Sequence, residues 1–238
     1  MAKVLVTVDF DYFVPEDPAW DMGHQETPLF LDMIWQSRGA LIDKMKCDGN
    51  QEGFWDRIGL RGFPKVFVTD SHTYGFHVAN RVGADHVVMV DTHHDCWSIR
   101  KGETFGCDNW LRTWLRQNRR RTALWHRPLH SQFAMPERCS RLELSGADEV
   151  RVEPADVVGI HICRSGCWVP PWLDEDFIKF VNDLEADEVL NPEFGQIWDC
   201  MKPRWTEAHY ESARETCAKM ENFKENHDLL HSRLALAS

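Results

Sequence analysis

The stretch VVMVDTHHD, residues 87–95, joins a short apolar run to a group of carboxylates and histidines. The run from Val87 to Val90 is typical of a strand that is buried on both faces. Asp91, His93 and Asp95 follow directly, and a chain that leaves a sheet can turn such alternate side chains toward one point. The stretch therefore predicts a parallel sheet with potential ligands at its carboxyl edge.

Strand and helix patterns alternate along the rest of the chain, which favours a parallel sheet covered by helices on both faces. Strands are predicted at 3–9, 65–70, 86–91, 122–126 and 156–163, with a weaker one at 149–153. Helices are predicted from Thr27-Pro28 through Trp35, from Asp108 through Leu115, over 174–184, and over about 206–235. We therefore predict an α/β fold, a three-layer α/β/α domain with a mainly parallel sheet, in which residues 1–238 form a single domain.

Composition narrows the classes of partner. No segment approaches the roughly 18 apolar residues of a membrane span, and the chain does not begin with an apolar signal-peptide core, so we expect a cytoplasmic protein with no membrane partner. The formal net charge of -11 argues against a nucleic-acid partner. The eight cysteines include no C-x-x-C pair, and we expect reduced thiols. The long C-terminal helix could pack on its own domain or on a second subunit, so a homo-oligomer is possible.

Two further strand ends carry possible metal ligands. Asp9 and Asp11 follow the first predicted strand, and His72 follows the second. Four carboxylates close together repel one another unless a cation lies between them. Six oxygen and nitrogen ligands suit two hard or borderline divalent ions, for which Mn²⁺ is the best candidate. Two such ions can lower the pKa of a shared water and so supply a nucleophile.

The pattern Asp91-x-His93-x-Asp95, with Asp9-x-Asp11 and an upstream histidine, resembles the ligand set of the arginase, agmatinase and deacetylase superfamily. The D-x-D segment comes first here and second in that superfamily, so either the strand order is permuted or the resemblance is local. Three further segments are similar to the peptide arginases: DFDYF at 9–13, DNW at 108–110 and LWHRP at 124–128.

The resemblance implies an activity and a division of the ligands. Peptide arginases convert arginine side chains of a ribosomally made precursor peptide into ornithine and release urea. Carried over by position, one Mn²⁺ would be held by His72 and Asp95, the other by His93 and Asp11, and the two ions would share Asp91 and Asp9 as bridges. An arginine-containing precursor peptide is the partner that this implies.

The catalytic acid and the group that holds the guanidinium are less closely determined. Glu26 could pair with the planar guanidinium, although an acidic residue at a helix start is also favoured by the helix dipole. His24 could protonate the departing amine. His94 could support a metal ligand from behind, act as a catalytic acid or base, or be a packing histidine.

Three residues are weaker candidates for substrate contact. Asn109 and Trp110 belong to the DNW segment, but Trp110 also fits the apolar face of its helix. Arg164 follows a predicted strand and could line the same edge. Close to it, the pattern His161-x-Cys163-x3-Cys167 lacks the usual spacing and a clear fourth ligand for structural zinc, so buried strand residues are expected there.

Other functions stay open at this point. A relative of the same superfamily could act on free arginine, agmatine or an acylated amine. No groups that would recognise a free α-carboxylate and α-amine are identified, which favours a peptide. A metal-stabilised module that binds a peptide without turning it over is the non-enzymatic alternative.

Overall fold

The computed structural model describes residues 2–15, 28–98, 106–137, 139–145, 150–190 and 199–235. Within these ranges one all-parallel sheet lies between helices, which confirms the predicted three-layer α/β/α class. Its strands are β1 (Val4–Asp9), β2 (Lys65–Thr69), β3 (His86–Val90), β4 (Thr122–His126), β5 (Leu142–Leu144), β6 (Val157–Cys163) and β7 (Glu188–Leu190). The helices are α1 (Pro28–Ser37), α2 (Phe54–Arg57), α3 (Gly75–Arg81), α4 (Trp110–Gln117), α5 (Asp174–Asn182) and α6 (Glu207–Ala235).

The strand order, β5-β4-β3-β1-β6-β2-β7, places β1 in the middle of the sheet. Val8 pairs with Val90 of β3 on one side, and Asp9 pairs with Cys163 of β6 on the other. The chain after β1 first adds β2 on one side and then β3 on the other, so the order reverses around β1. In open α/β sheets the carboxyl edge at such a reversal is the usual position of a ligand site.

Each face of the sheet has its own hydrophobic core. Val6 packs on one face in a cluster that includes Phe180, whereas Leu5 packs on the other with Trp114. Because β1 is buried on both faces, its sequence is a nearly continuous apolar run rather than an alternating one. Thr7 is the polar exception within the run and is fully buried on the second face.

The edges of the sheet differ from the sequence prediction. Residues 150–153 of the weak strand at 149–153 are not a strand, and a short 3-10 turn (Pro154–Asp156) leads into β6 instead. The edge strands β5 and β7 were not predicted. Each has only three residues and is mostly exposed, so neither carries an apolar pattern long enough to recognise.

The predicted C-terminal helix is confirmed as α6, and Ala213 on it is buried in a cluster with Leu31 and Trp35 of α1. A Cβ on Gly39 would lie 2.7 Å from the carbonyl oxygen of Ala213, so the helix passes too close for any larger residue at position 39. Just before α6, Trp205 donates a hydrogen bond from Nε1 to Asp32 of α1 over 3.0 Å. None of the described helices is long and apolar enough to cross a membrane.

Candidate metal centre

The six predicted ligands converge at the carboxyl edge of the sheet. Asp9 ends β1, and Asp11 lies in the 3-10 turn that follows; His72 begins the 3-10 turn after β2. The other three, Asp91, His93 and Asp95, lie directly after β3. All are buried except His93, which is partly exposed. Asp95 has a left-handed backbone (φ 46°), a conformation that Asp tolerates better than most residues and that turns the chain here.

One nitrogen of His72 lies among three carboxylates. Its Nδ1 is 2.8 Å from Oδ2 of Asp95, 2.9 Å from Oδ2 of Asp91 and 3.3 Å from Oδ2 of Asp9. Nδ1 of His72 and Oδ2 of Asp91 are both buried, and neither makes a hydrogen bond of acceptable geometry within the described part of the chain. A single imidazole nitrogen can donate at most one proton. Lone pairs that face a common space in this way fit the ligands of a cation.

Asp91 connects this group to a second one. Nδ1 of His93 lies 3.0 Å from Oδ2 of Asp11 and 3.6 Å from Oδ1 of Asp91. Asp9, His72 and Asp91 offer ligand atoms within 4.8 Å of one another, and so do Asp11, Asp91 and His93. Asp91 belongs to both groups, as its predicted bridging role requires, whereas Asp9 belongs only to the first.

Three groups of this cluster have pKa values that favour bound protons when no cation is present. Burial raises the pKa of Asp9 well above its usual value, and the nearby Asp11 and Asp91 raise it further. Burial and Asp91 also raise the pKa of Asp95 to about 7. Burial opposes the charged form of His72, but the charge of Asp95 and the contact with Asp91 outweigh it and raise the pKa of His72. A divalent cation would displace these protons, which couples its binding to pH.

Asp91 itself is held in the ionised form. Burial opposes ionisation, but the adjacent imidazoles of His72 and His93 lower the pKa of Asp91 to about 2. The backbone N–H of His93 also donates to Oδ1 of Asp91 over 2.7 Å. The carboxylate shared by the two groups is therefore also the most acidic of the three described here.

Trp110 and Asn109 have different positions from those predicted for substrate contacts. Trp110 is fully buried and donates from Nε1 to Oδ2 of Asp95 over 2.6 Å, while its ring lies 5.1 Å from that of His72. It therefore orients the carboxylate of Asp95 and is not exposed for contact with a substrate. Oδ1 of Asn109 accepts a hydrogen bond from the backbone of Gly106, so this side chain stabilises the approach to α4.

The prediction that Arg164 contacts substrate is also corrected. Its side chain is fully buried, donates from Nε to Asp70 over 2.6 Å and lies 3.5 Å from Asp174. A buried guanidinium is stable only where carboxylates and carbonyls surround it, and Asp70 and Asp174 supply the carboxylates here. Arg164 therefore anchors the chain after β6.

His94 is buried among aromatic rings, as expected of a packing histidine. It is 2% exposed, its Nδ1 accepts a hydrogen bond from the backbone of Cys96 over 3.0 Å, and its ring lies 4.7 Å from Trp97 and 5.7 Å from Trp125. Burial lowers its pKa to about 4, so it is neutral at physiological pH. The other catalytic candidates, His24 and Glu26, lie outside the described residues.

A small pocket lies above the predicted ligands, and most of its other lining residues were not predicted. Besides four of the ligands it is lined by Trp97, Cys107, Asp108, Ser165 and Trp168. The backbone N–H of Trp97 donates to the carbonyl of Asp108 over 3.1 Å, which ties two sides of the opening together. Aromatic faces and a carboxylate are groups that attract a cationic side chain. Two features of the sequence mark this wall: Asp108 belongs to the DNW segment, and Trp168 is one of several tryptophans predicted to lie in loops.

No family model, curated protein or solved structure matches the chain. The fold and the site by themselves define a three-layer α/β/α protein whose sheet carries, at its carboxyl edge, a buried aspartate and histidine cluster that could hold metal ions.

Proposed function

We propose that this protein is a binuclear manganese hydrolase that converts arginine side chains of a precursor peptide into ornithine and releases urea. The observation that carries the proposal is the position of Asp91, which lies between His72 and His93 within a buried group of carboxylates. The nitrogen and oxygen donors match the preference of Mn²⁺, and no thiolate belongs to either group. The resemblance of the ligand pattern to the peptide arginases supplies the reaction.

Two bound divalent ions would supply a nucleophile from water and stabilise charge that develops at the guanidinium carbon. The residues of the chain then have three tasks. The carboxylates and histidines hold the ions, and the aromatic faces of Trp97 and Trp168 exclude water from the guanidinium. Asp108 offers a carboxylate to the guanidinium N–H groups. Hydrolysis adds one water across the bond between the guanidinium carbon and the side-chain nitrogen, which leaves as the protonated amine of ornithine.

A second cleft supports a peptide as the substrate. It has a volume of about 550 Å³ and is lined by Tyr12, which follows Asp11, and by His126, whose carbonyl accepts a hydrogen bond from the backbone of Asp91. Phe54 adds apolar surface to this cleft, and Arg57 and Arg127 add charge. An amino acid bound at the metal centre would not use this space, whereas residues that flank an arginine in a peptide could.

The test is urea release from the Mn²⁺-loaded protein with an arginine-containing peptide, followed by mass spectrometry. Conversion would lower the peptide mass by about 42 Da, the loss expected when hydrolysis turns a guanidinium into an amine. Free arginine, agmatine and an acetyl-lysine peptide are assayed in parallel. Turnover of only free arginine or only agmatine would indicate a small-molecule ureohydrolase instead. Turnover of only the acetyl-lysine peptide would indicate a deacetylase. Peptide binding without turnover, with two ions bound, would indicate a binding module.

A further inference from the structure

Behind His72, a row of buried side chains crosses three strands. Nε2 of His72 lies 2.8 Å from the hydroxyl of Thr7, and this hydroxyl lies 2.9 Å from Nδ1 of His161. Nε2 of His161 lies 2.8 Å from the hydroxyl of Thr69, which donates to the carbonyl of Ser71 over 3.0 Å. Thr7, Thr69 and His161 are completely buried, so water does not compete for these groups.

The direction of every hydrogen bond in this row follows from its last member. The carbonyl of Ser71 can only accept, so the hydroxyl proton of Thr69 points to it. Thr69 must then accept from Nε2–H of His161, which leaves Nδ1 of His161 as an acceptor for the hydroxyl proton of Thr7. Thr7 in turn accepts from Nε2–H of His72. Burial, with the nearby His72, lowers the pKa of His161 well below its usual value, in agreement with a neutral ring.

We propose that His161 is a positioning residue that acts through Thr7 to hold a proton on Nε2 of His72, so that Nδ1 is the nitrogen left to bind a cation. This proposal rests on the proposed metal centre for its consequence, since a histidine binds a metal through an unprotonated nitrogen. Nδ1 of His72 lies among the three carboxylates that would hold the cation. A fixed acceptor at Nε2 keeps that nitrogen protonated, so that Nδ1 is the nitrogen that can bind the cation.

The sheet register explains why these residues meet. Thr7 and His161 are paired residues of β1 and β6, and Thr69 ends β2 on the other side of β6. The row therefore connects β1, which carries Asp9, to the turn that carries His72. Because both ring nitrogens of His161 are used in the row, His161 is not available as a ligand with Cys163 and Cys167.

The direction of the row can be measured without any metal. Long-range proton–nitrogen NMR spectra of the metal-free protein, labelled at histidine and assigned with His161→Gln and His72→Gln, report which ring nitrogen carries the proton. We expect His161 to be neutral and protonated on Nε2 across the neutral pH range, and His72 to keep a proton on Nε2. A proton on Nδ1 of His161 would reverse the row and overturn the proposal, whether or not the protein binds Mn²⁺.

The consequence for metal binding is tested by calorimetric titration with Mn²⁺. Thr7→Val and His161→Leu are each expected to weaken binding about 10–100-fold, as for other partners of metal-binding histidines. The double variant should be no weaker than either single variant, because both break one connection. His161→Gln, which retains an acceptor and a donor, should recover part of the affinity.

A threonine at the opposite end of the sheet provides the matched control. Thr122 of β4 makes a similar hydroxyl contact with the ring of His86 over 2.8 Å, and Thr122→Val should leave Mn²⁺ affinity unchanged. Melting temperatures in the presence of a chelator separate general loss of structure from loss of binding. Additive losses, or an equal loss in the control, would overturn the role of His161. If the unaltered protein bound no Mn²⁺ at all, the proposed function would fail while the NMR result would still decide the direction of the row.

Discussion

Trp110 donates a hydrogen bond from its indole Nε1 to Oδ2 of Asp95 over 2.6 Å, and this same oxygen lies 2.8 Å from Nδ1 of His72. The indole thus occupies one lone pair of a carboxylate whose other side faces the proposed metal centre. Second partners of this kind fix the orientation of metal ligands. The helix that carries Trp110 packs on the sheet through the same side chain, so folding of α4 and orientation of Asp95 are coupled.

Trp110→Phe is expected to weaken Mn²⁺ binding about tenfold while the protein stays folded, because the ring remains but the N–H donor is lost. Trp114→Phe is the matched control. Trp114 lies one turn further along α4, is equally buried, and its Nε1 has no hydrogen-bond partner in the described part of the chain. Calorimetric titration of both variants with Mn²⁺ tests this. Equal affinities for the two variants would contradict a role for the indole N–H.

Asp91→Asn is expected to remove both ions, whereas Asp11→Asn should remove only the ion on the His93 side. Asp91 belongs to both ligand groups and Asp11 to one, so the two changes differ in stoichiometry and not only in affinity. Elemental analysis after dialysis against limiting Mn²⁺ measures the number of ions retained. Two ions in Asp91→Asn would show that this carboxylate is not shared.

Asp108→Asn is expected to raise KM for an arginine-containing peptide while the number of bound ions stays the same. Hydrogen bonds to charged groups contribute about 1.5–3 kcal/mol, which corresponds to roughly a 10–150-fold change in KM. Asp187→Asn, an exposed change near β7, is the control. Urea release at varied peptide concentrations separates KM from kcat. An unchanged KM would exclude Asp108 as the partner of the guanidinium.

The long strands and the convergence of the predicted ligands could be predicted because both are local in the sequence. A strand that is buried on both faces is an apolar run, and β1, β2, β3, β4 and β6 each contain one. The residues that directly follow a strand in a parallel sheet must lie at its carboxyl edge. A correct choice of strands was therefore enough to predict that Asp9, Asp91 and His72 lie at the same edge.

The side-chain network around the ligands was not predictable, because it depends on register between strands that are distant in sequence. Thr7 and His161 are 154 residues apart, and each looks like an ordinary member of a strand. The contacts of Arg164 also depend on residues that are distant in sequence. Its position after β6 was correct, but Asp70 and Asp174 turn its guanidinium away from the pocket.

The metal-free protein is expected to lose stability as the pH rises above about 6.5. Asp9, Asp95 and His72 all have raised pKa values in the folded protein. In this pH range the folded state therefore binds more protons than the unfolded state. The free energy of unfolding then falls with pH. The lowered pKa values of His94 and His161 act in the opposite direction, but only below the usual value of 6.5.

Differential scanning calorimetry with a chelator measures this fall, which should amount to several degrees because 1 kcal/mol shifts the melting temperature by about 2–4 °C in a chain of this size. A hydrogen bond with Cys96 lowers the pKa of Cys139 to about 7, so this thiol would make the folded protein more stable as the pH rises. The proteins compared should therefore carry Cys139→Ser, which removes this opposing contribution. Asp95→Asn removes a carboxyl group with a pKa of about 7 and should flatten the decline. With Mn²⁺ present, the melting temperature should instead rise with pH, because the ion binds the deprotonated ligands. A melting temperature that rises with pH in the chelated protein would mean that the cluster is not protonated as proposed.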